Sequence, residues 1–168
     1  RVVERLLAGG HSVRVLVRDR ERARARPWGL QVEIVEGDLA RPETLAGALE
    51  GVEAAYYLVH SMYAGAGFEE LDRAAARNFV AAARCLRQVI YLGGIVPAAT
   101  ERRRRSAHLE SRAEVGRILR EGLPTTEFRA GPIIGSGSAS FEMVRYLTER
   151  LPAMIAPRWI LNQVQTIS

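Results

Sequence analysis

Apolar residues recur along this chain in two periods, one near 3.6 and one near 2, and the two alternate from end to end. Val2, Val3, Leu6 and Leu7 keep helical spacing up to Gly9 and Gly10, a pair suited to a helix C-terminus. Ser12 to Val17 then alternates as a strand ending in Arg18 and Asp19, and the arginine-rich stretch from Arg18 to Arg26, apart from Arg18, predicts an exposed helix face. Val32 to Val35 predicts a second strand, closed by Gly37-Asp38-Leu39, and Pro42 to Leu49 a helix with proline at an early position. Ala54 to Val59 is too apolar to alternate, as suits a parallel strand covered on both faces, and it runs into His60-Ser61-Met62. Phe68 to Leu86 predicts a long amphipathic helix with Leu71, Ala75, Phe79 and Ala82 on its apolar stripe. Val89 to Leu92 is the next buried strand, before Gly93 and Gly94; Ser106 to Glu121 is a helix stopped by Gly122 and Pro124. Thr126 to Phe128 starts a strand leading to Ala130-Gly131-Pro132 and the loop Gly135-Ser136-Gly137, and Phe141 to Leu151 is again helical.

Strands and helices joined by short connections predict an α/β fold: a Rossmann-type, doubly wound parallel sheet in three layers, α/β/α. Such a sheet has the strand order 3-2-1-4-5-6, which puts its first strand between the second and the fourth. The chain opens at what reads as the helix after that strand. The expectation is therefore one dinucleotide-binding domain over residues 1–168, incomplete at both ends, lacking the first strand and the glycine-rich turn that cradles a pyrophosphate. The strands at Ser12 and Ala54 would then lack their shared neighbour, and Trp159 to Ser168 would begin a strand-like stretch that nothing closes.

Composition narrows the functional classes. At 168 residues the chain suits one core. A net charge of +5 and the run Arg102 to Arg105 invite nucleic acid, but aromatic residues make up only 7% and neither zinc-finger spacing nor a recognition helix is present. Nucleic acid is not the expected partner; the run reads as a solvated loop, with a docking patch for an acidic partner, a protein among them, or for phosphate as the alternative. The one cysteine, Cys85, lies in an apolar helical stretch with no metal-ligand spacing, so neither a disulfide nor a metal site is expected. Without a signal peptide or an apolar run of about 20 residues, a cytoplasmic protein with no membrane segment is expected. All 24 basic side chains are arginine. No phosphate-loop lysine, Schiff-base lysine or lysine tuning a catalytic tyrosine can therefore occur.

Four stretches carry a resemblance: Val15-Leu16-Val17-Arg18, Gly37-Asp38-Leu39, Tyr57-Leu58-Val59-His60-Ser61-Met62, and RAGPIIGSGSASFEM from Arg129 to Met143. On these the chain resembles the atypical short-chain dehydrogenase/reductase proteins, in their NAD(P)H-binding, NmrA-like branch. In open parallel sheets a ligand lies outside the carboxyl ends of the strands, where Arg18, Asp38, His60, Gly93 and Gly131 all fall. Arg18 suits the 2′-phosphate of NADP, with NAD the weaker choice, although Asp19 directly after it points the other way. The resemblance implies that Asp38 and Leu39 border the adenine, and that Leu58, Val59 and His60 floor the ribose and nicotinamide. It adds Gly93, Arg112, Gly131 and Pro132 to the cofactor-binding set. Asp38 reads equally well as a turn former, and His60 with Ser61 as a satisfied hydrogen-bonding pair.

The proton-handling serine, tyrosine and lysine of catalytic short-chain reductases do not carry over. Their positions hold Gly93 or Gly94, His108 and Arg112. Arg112 keeps donors and charge for a ribose hydroxyl or a phosphate. His108 and His60 are the catalytic candidates, since imidazole titrates near neutrality, and His108 reads otherwise as a plain helix-start residue. Tyr56, Tyr57 and Tyr91 fall within strands and read as core, whereas Tyr63 lies in a glycine-rich loop. The loop from Gly131 to Gly137 suits either an anion site or a lid over a substrate. The implied function is an NAD(P)H-binding oxidoreductase or epimerase acting on a small molecule. The alternative is a non-catalytic regulator or sensor, or an accessory subunit of a respiratory complex.

Overall fold

Alternation over Arg14–Val17 (β1) and Glu33–Glu36 (β2) produces a parallel two-stranded ladder in which Arg14 faces Glu33 and Val17 faces Glu36. The computed structural model describes residues 1–61, 65, 67–95, 106–131, 133 and 139–151. The helix Val2–Ala8 (α1) leads into β1 through Gly10, whose φ of 77° is a left-handed conformation open to glycine. Between the strands, Arg20–Arg24 (α2) buries only Ala23 and turns its arginines outward, as the sequence predicts. Pro42–Thr44 forms a 3-10 turn and Ala46–Leu49 (α3) a single α-helical turn, where one continuous helix was expected.

A second sheet is built from Ala54–Tyr57 (β3), Gln88–Gly94 (β4) and Thr125–Ala130 (β5), all parallel, in the order β3-β4-β5. Tyr57 is level with Tyr91, and Gly93 with Arg129. The helices Phe68–Ala82 (α4) and Ala107–Gly122 (α5) supply the residues that cover one face. Ser106 starts α5 by accepting from the Leu109 amide at 3.3 Å, the capping role its position predicts. Tyr57, Phe79, Val89, Tyr91, Val115 and Leu119 form one core with Leu39, Leu45 and Leu49 from the segment after β2. Each fully buried leucine or valine of that core contributes about 1.5–3 kcal/mol relative to exposure.

The two ladders are separate sheets. Among the described residues β1 pairs only with β2 and β3 only with β4, so the break between the two sheets falls between β1 and β3. Arg14 bridges the break: Nε donates to Glu33 Oε2 at 2.7 Å, while Nη1 donates to the carbonyls of Ala48 at 3.1 Å and Glu50 at 2.6 Å. That guanidinium caps the carboxyl end of α3 and ties the first ladder to the turn that enters β3.

Several expectations are corrected. β3 stops at Tyr57 rather than Val59, because its one ladder, with β4, ends there. Tyr56 is 42% exposed, not core, since the face of β3 opposite the core cluster is not sealed. Leu71 is exposed and its neighbour Asp72 is buried, so α4 is turned by about one residue from the stripe read off the sequence. Cys85 lies exposed in the turn after α4, which ends at Ala82 rather than Leu86. Ala139–Arg150 (α6) forms two residues earlier than expected, with Arg145 paired to Glu142 and Glu149. The readings on Met62, Tyr63, Arg102 to Arg105, Pro132, Gly135 to Gly137 and Trp159 to Ser168 lie outside the described residues. Among the described residues no helix is long and apolar enough to cross a membrane, and no cluster of three or more metal-ligating side chains occurs.

Candidate active site

The helix α4 braces two loops at the carboxyl ends of strands. Asn78 Nδ2 donates to the Leu39 carbonyl at 2.7 Å, holding the loop after β2. Six residues earlier on the same helix, Asp72 accepts from the Ser61 amide at 2.6 Å through Oδ1 and from the Ser111 hydroxyl at 2.9 Å through Oδ2. Asp72 and Ser111 are only 4% and 3% exposed, so this carboxylate joins the end of β3 to α5 inside the protein. Sequence reasoning missed both residues.

His60 follows β3, and His108 stands in the first turn of α5. Their rings meet edge to face, with centroids 6.3 Å apart and planes at 83°. The structure thus brings the two catalytic candidates together. Partial burial, then the charges of Arg112 and His60, hold the His108 pKa below its ordinary 6.5, with Asp72 pulling the other way. Both the burial and the neighbouring cations favour the neutral imidazole of His108.

Arg112, one turn along α5, donates from its guanidinium to the Leu92 carbonyl near the end of β4. Its Cζ sits 5.7 Å from the centre of the Tyr91 ring, and its own carbonyl accepts from the Tyr91 hydroxyl at 3.0 Å. Burial pushes the Tyr91 phenol up to about 12, and it raises Tyr57 further, assisted by the charge of Asp72. Neither buried phenol is a proton donor matched to neutral pH.

At the first ladder, Arg18 is exposed just after β1 and makes no hydrogen bond or ion pair among the described residues. Asp19 is committed elsewhere: its Oδ1 accepts from the Arg22 amide at 2.9 Å and caps α2. Asp38 closes a turn, with Oδ1 accepting from the Ala40 amide at 2.9 Å, and Leu39 is buried in the core. Leu58 and Val59, beyond the end of β3, are 52% and 49% exposed. Gly131 lies half-buried past the end of β5.

Gly93 has an internal reason for its size. A Cβ there would lie 2.5 Å from Glu127 Oε1, and one on Gly116 of α5 would lie 2.9 Å from the same oxygen. The two glycines make room for a carboxylate whose side chain is 7% exposed and which pairs with Arg120 and Arg129.

These residues fit a dinucleotide in kind. Arg18 offers an exposed cation and five donors suited to a phosphate, and Leu58 and Val59 offer uncovered apolar surface at a strand end, suited to a flat ring. A family model for NAD(P)H-binding proteins matches residues 1–119. The chain belongs to this NAD(P)H-binding family. That membership agrees with the resemblance to atypical short-chain dehydrogenase/reductase proteins carried by the motifs. No curated protein matches the chain.

Among solved structures, triphenylmethane reductase of Citrobacter sp., complexed with NADP(H), is 24% identical with a TM-score of 0.64. The match covers 88% of this chain and 50% of that one. A nucleoside-diphosphate-sugar epimerase of Staphylococcus aureus is 17% identical with a TM-score of 0.66, over 88% and 50% of the two chains. A short-chain dehydrogenase/reductase superfamily protein of Agrobacterium tumefaciens, with bound NAD, is 16% identical with a TM-score of 0.64, over 88% and 54%. At such identities the likeness is one of fold, and the fold is of Rossmann type. The chain spans about half the length of these structures.

Proposed function

We propose that this NAD(P)H-binding chain forms the cofactor half of an NADP-dependent oxidoreductase or epimerase in which imidazole takes over the proton-handling part of the missing tyrosine and lysine. The observation that carries this reading is the edge-to-face pair of His60 and His108, 6.3 Å between centroids, at the carboxyl end of β3. A nicotinamide bound there supplies or accepts a hydride. His108 gives a proton to a substrate oxygen as it becomes an alkoxide, or takes one from a hydroxyl in the opposite direction. Arg112, one turn after His108, ties α5 to the Leu92 carbonyl of β4 and so holds the helix that carries His108. Arg18 favours NADP, because Asp19, the acidic residue that would suit the ribose of NAD, has an oxygen occupied in capping α2. Leu58, Val59 and His60 form the floor of the ribose and nicotinamide site.

The test is turnover of NADPH by the full-length protein against a panel of aldehydes, ketones and quinones, with His108→Ala alongside. Loss of a positioned general acid lowers the rate ~100- to 10,000-fold. Turnover that is indifferent to His108→Ala and to His60→Ala refutes the catalytic assignment. A second reading, a sensor that binds the cofactor without consuming it, draws on the commitment of Arg112 to the Leu92 carbonyl, which takes one donor of the family's lysine position away from a ligand. Saturable NADPH binding with no turnover on any panel member would favour it.

A further inference from the structure

We propose that Asp72 is the positioning residue of this site, fixing the two elements that carry His60 and His108 and placing a negative charge near His108. The inference rests on the reading of the histidines given above. Asp72 lies on the face of α4 that otherwise buries Ala75, Ala76 and Phe79, where an apolar side chain would avoid the cost of desolvating a carboxylate. Its two partners belong to neither that helix nor each other's element. One is the Ser61 amide, directly after His60; the other is the Ser111 hydroxyl on α5, three residues after His108 and on the same helix face. A single carboxylate therefore determines where the backbone leaves β3 with His60 and how the first turn of α5 presents His108.

The charges around His108 give the same residue a second effect. Arg112 on α5 and His60 after β3 both disfavour the imidazolium, and Asp72 on α4 is the acid that favours it. Asp72 does not touch the reacting atoms in this arrangement. It sets the place of one imidazole and the proton affinity of the other.

Two substitutions in the full-length protein separate these effects. In Asp72→Asn the amide oxygen still accepts from the Ser61 amide and the amide nitrogen can donate to the Ser111 hydroxyl, so geometry is kept and charge is lost. In Asp72→Ala both are lost. The readouts are the ring titrations of His60 and His108 by NMR and the exchange rate of the Ser61 amide, all without cofactor. Asp72→Asn should leave Ser61 protected while moving the His108 midpoint lower, and Asp72→Ala should speed Ser61 exchange at least ~10-fold, the loss of one hydrogen bond to a charged group. If turnover is present, the limb along which reduction falls with rising pH, set by His108, should move to lower pH in Asp72→Asn. An unchanged His108 midpoint in Asp72→Asn overturns the electrostatic part; unchanged Ser61 exchange in Asp72→Ala overturns the positioning part. Should Asp72→Ala fail to fold, Ser111→Ala with Asp72→Asn supplies the same comparison through the second partner. Failure of NADPH to bind the wild-type protein would refute the functional reading, and the NMR outcomes would still decide the role of Asp72.

Discussion

Substituting Gly93 separates packing from cofactor contact at the end of β4. The methyl of Gly93→Ala arrives 2.5 Å from Glu127 Oε1 and 3.2 Å from its Cγ and Cδ, closer than side-chain atoms sit in a relaxed protein. Glu127 cannot simply turn away, since Gly116 of α5 closes the other side and the side chain is 7% exposed. Overpacking of this kind costs about 1–3 kcal/mol. Part of that cost is the loosening of the ion pairs with Arg120 and Arg129, which counts for little because both arginines are well exposed to solvent. Urea unfolding of wild type, Gly93→Ala, Glu127→Ala and the double variant forms a cycle. The double variant should be no less stable than Glu127→Ala alone, because the new methyl enters space the carboxylate has left, giving a coupling of about 1–3 kcal/mol. Strict additivity would refute the packing argument. So would a Gly93→Ala protein of wild-type stability that has lost NADPH binding, the outcome expected if Gly93 is small to let the cofactor approach.

Three further outcomes follow from the site. Removing the cation in Arg18→Ala should weaken NADPH binding by about 10- to 100-fold, the worth of a charge-assisted bond to phosphate, while NADH binding stays level; equal losses for both would remove Arg18 from the 2′-phosphate site. Because His108 titrates below 6.5 in the folded protein, the unfolded chain binds more protons in that window. Stability contributed by neutral His108 is thus full above pH 6.5 and is lost as pH falls through the folded midpoint, and His108→Gln should flatten that part of the pH dependence seen in urea unfolding. For reduction by a His108 acid, kcat/KM should rise as pH drops below 6.5, and a rate that falls there instead would assign the proton to another group.

The α/β class was legible in the chain because two hydrophobic periods alternate, and element starts such as Ser106 carry local capping chemistry that needs no tertiary context. The site was legible only in part. His60 and His108 stood out as candidates because polar rings at a strand end and a helix start are conspicuous, and their rings do lie together, but Asp72 was hidden by the rule that puts charged residues on the outside of an amphipathic helix. Its burial depends on donors 11 and 39 residues away, and nothing in the periodicity of α4 announces them. Glu127 escaped for a similar reason: the cavity that admits it is made by Gly93 and Gly116, residues of two other elements. A small hydroxyl at Ser111 and paired glycines opposite a strand carboxylate were the signals present. Helix rotation followed the same logic, since Leu71 could be exposed once the hydrogen-bonded Asp72 took its place inside.

The central claim is that the strand ends around Arg18, Leu58 and the imidazole pair bind a nicotinamide dinucleotide phosphate. Titrating NADPH and NADH into the full-length protein, followed by the change in reduced-nicotinamide fluorescence, tests it most directly. Saturable binding of both, with NADPH the tighter, is the expected result; a protein that binds neither contradicts the proposed function.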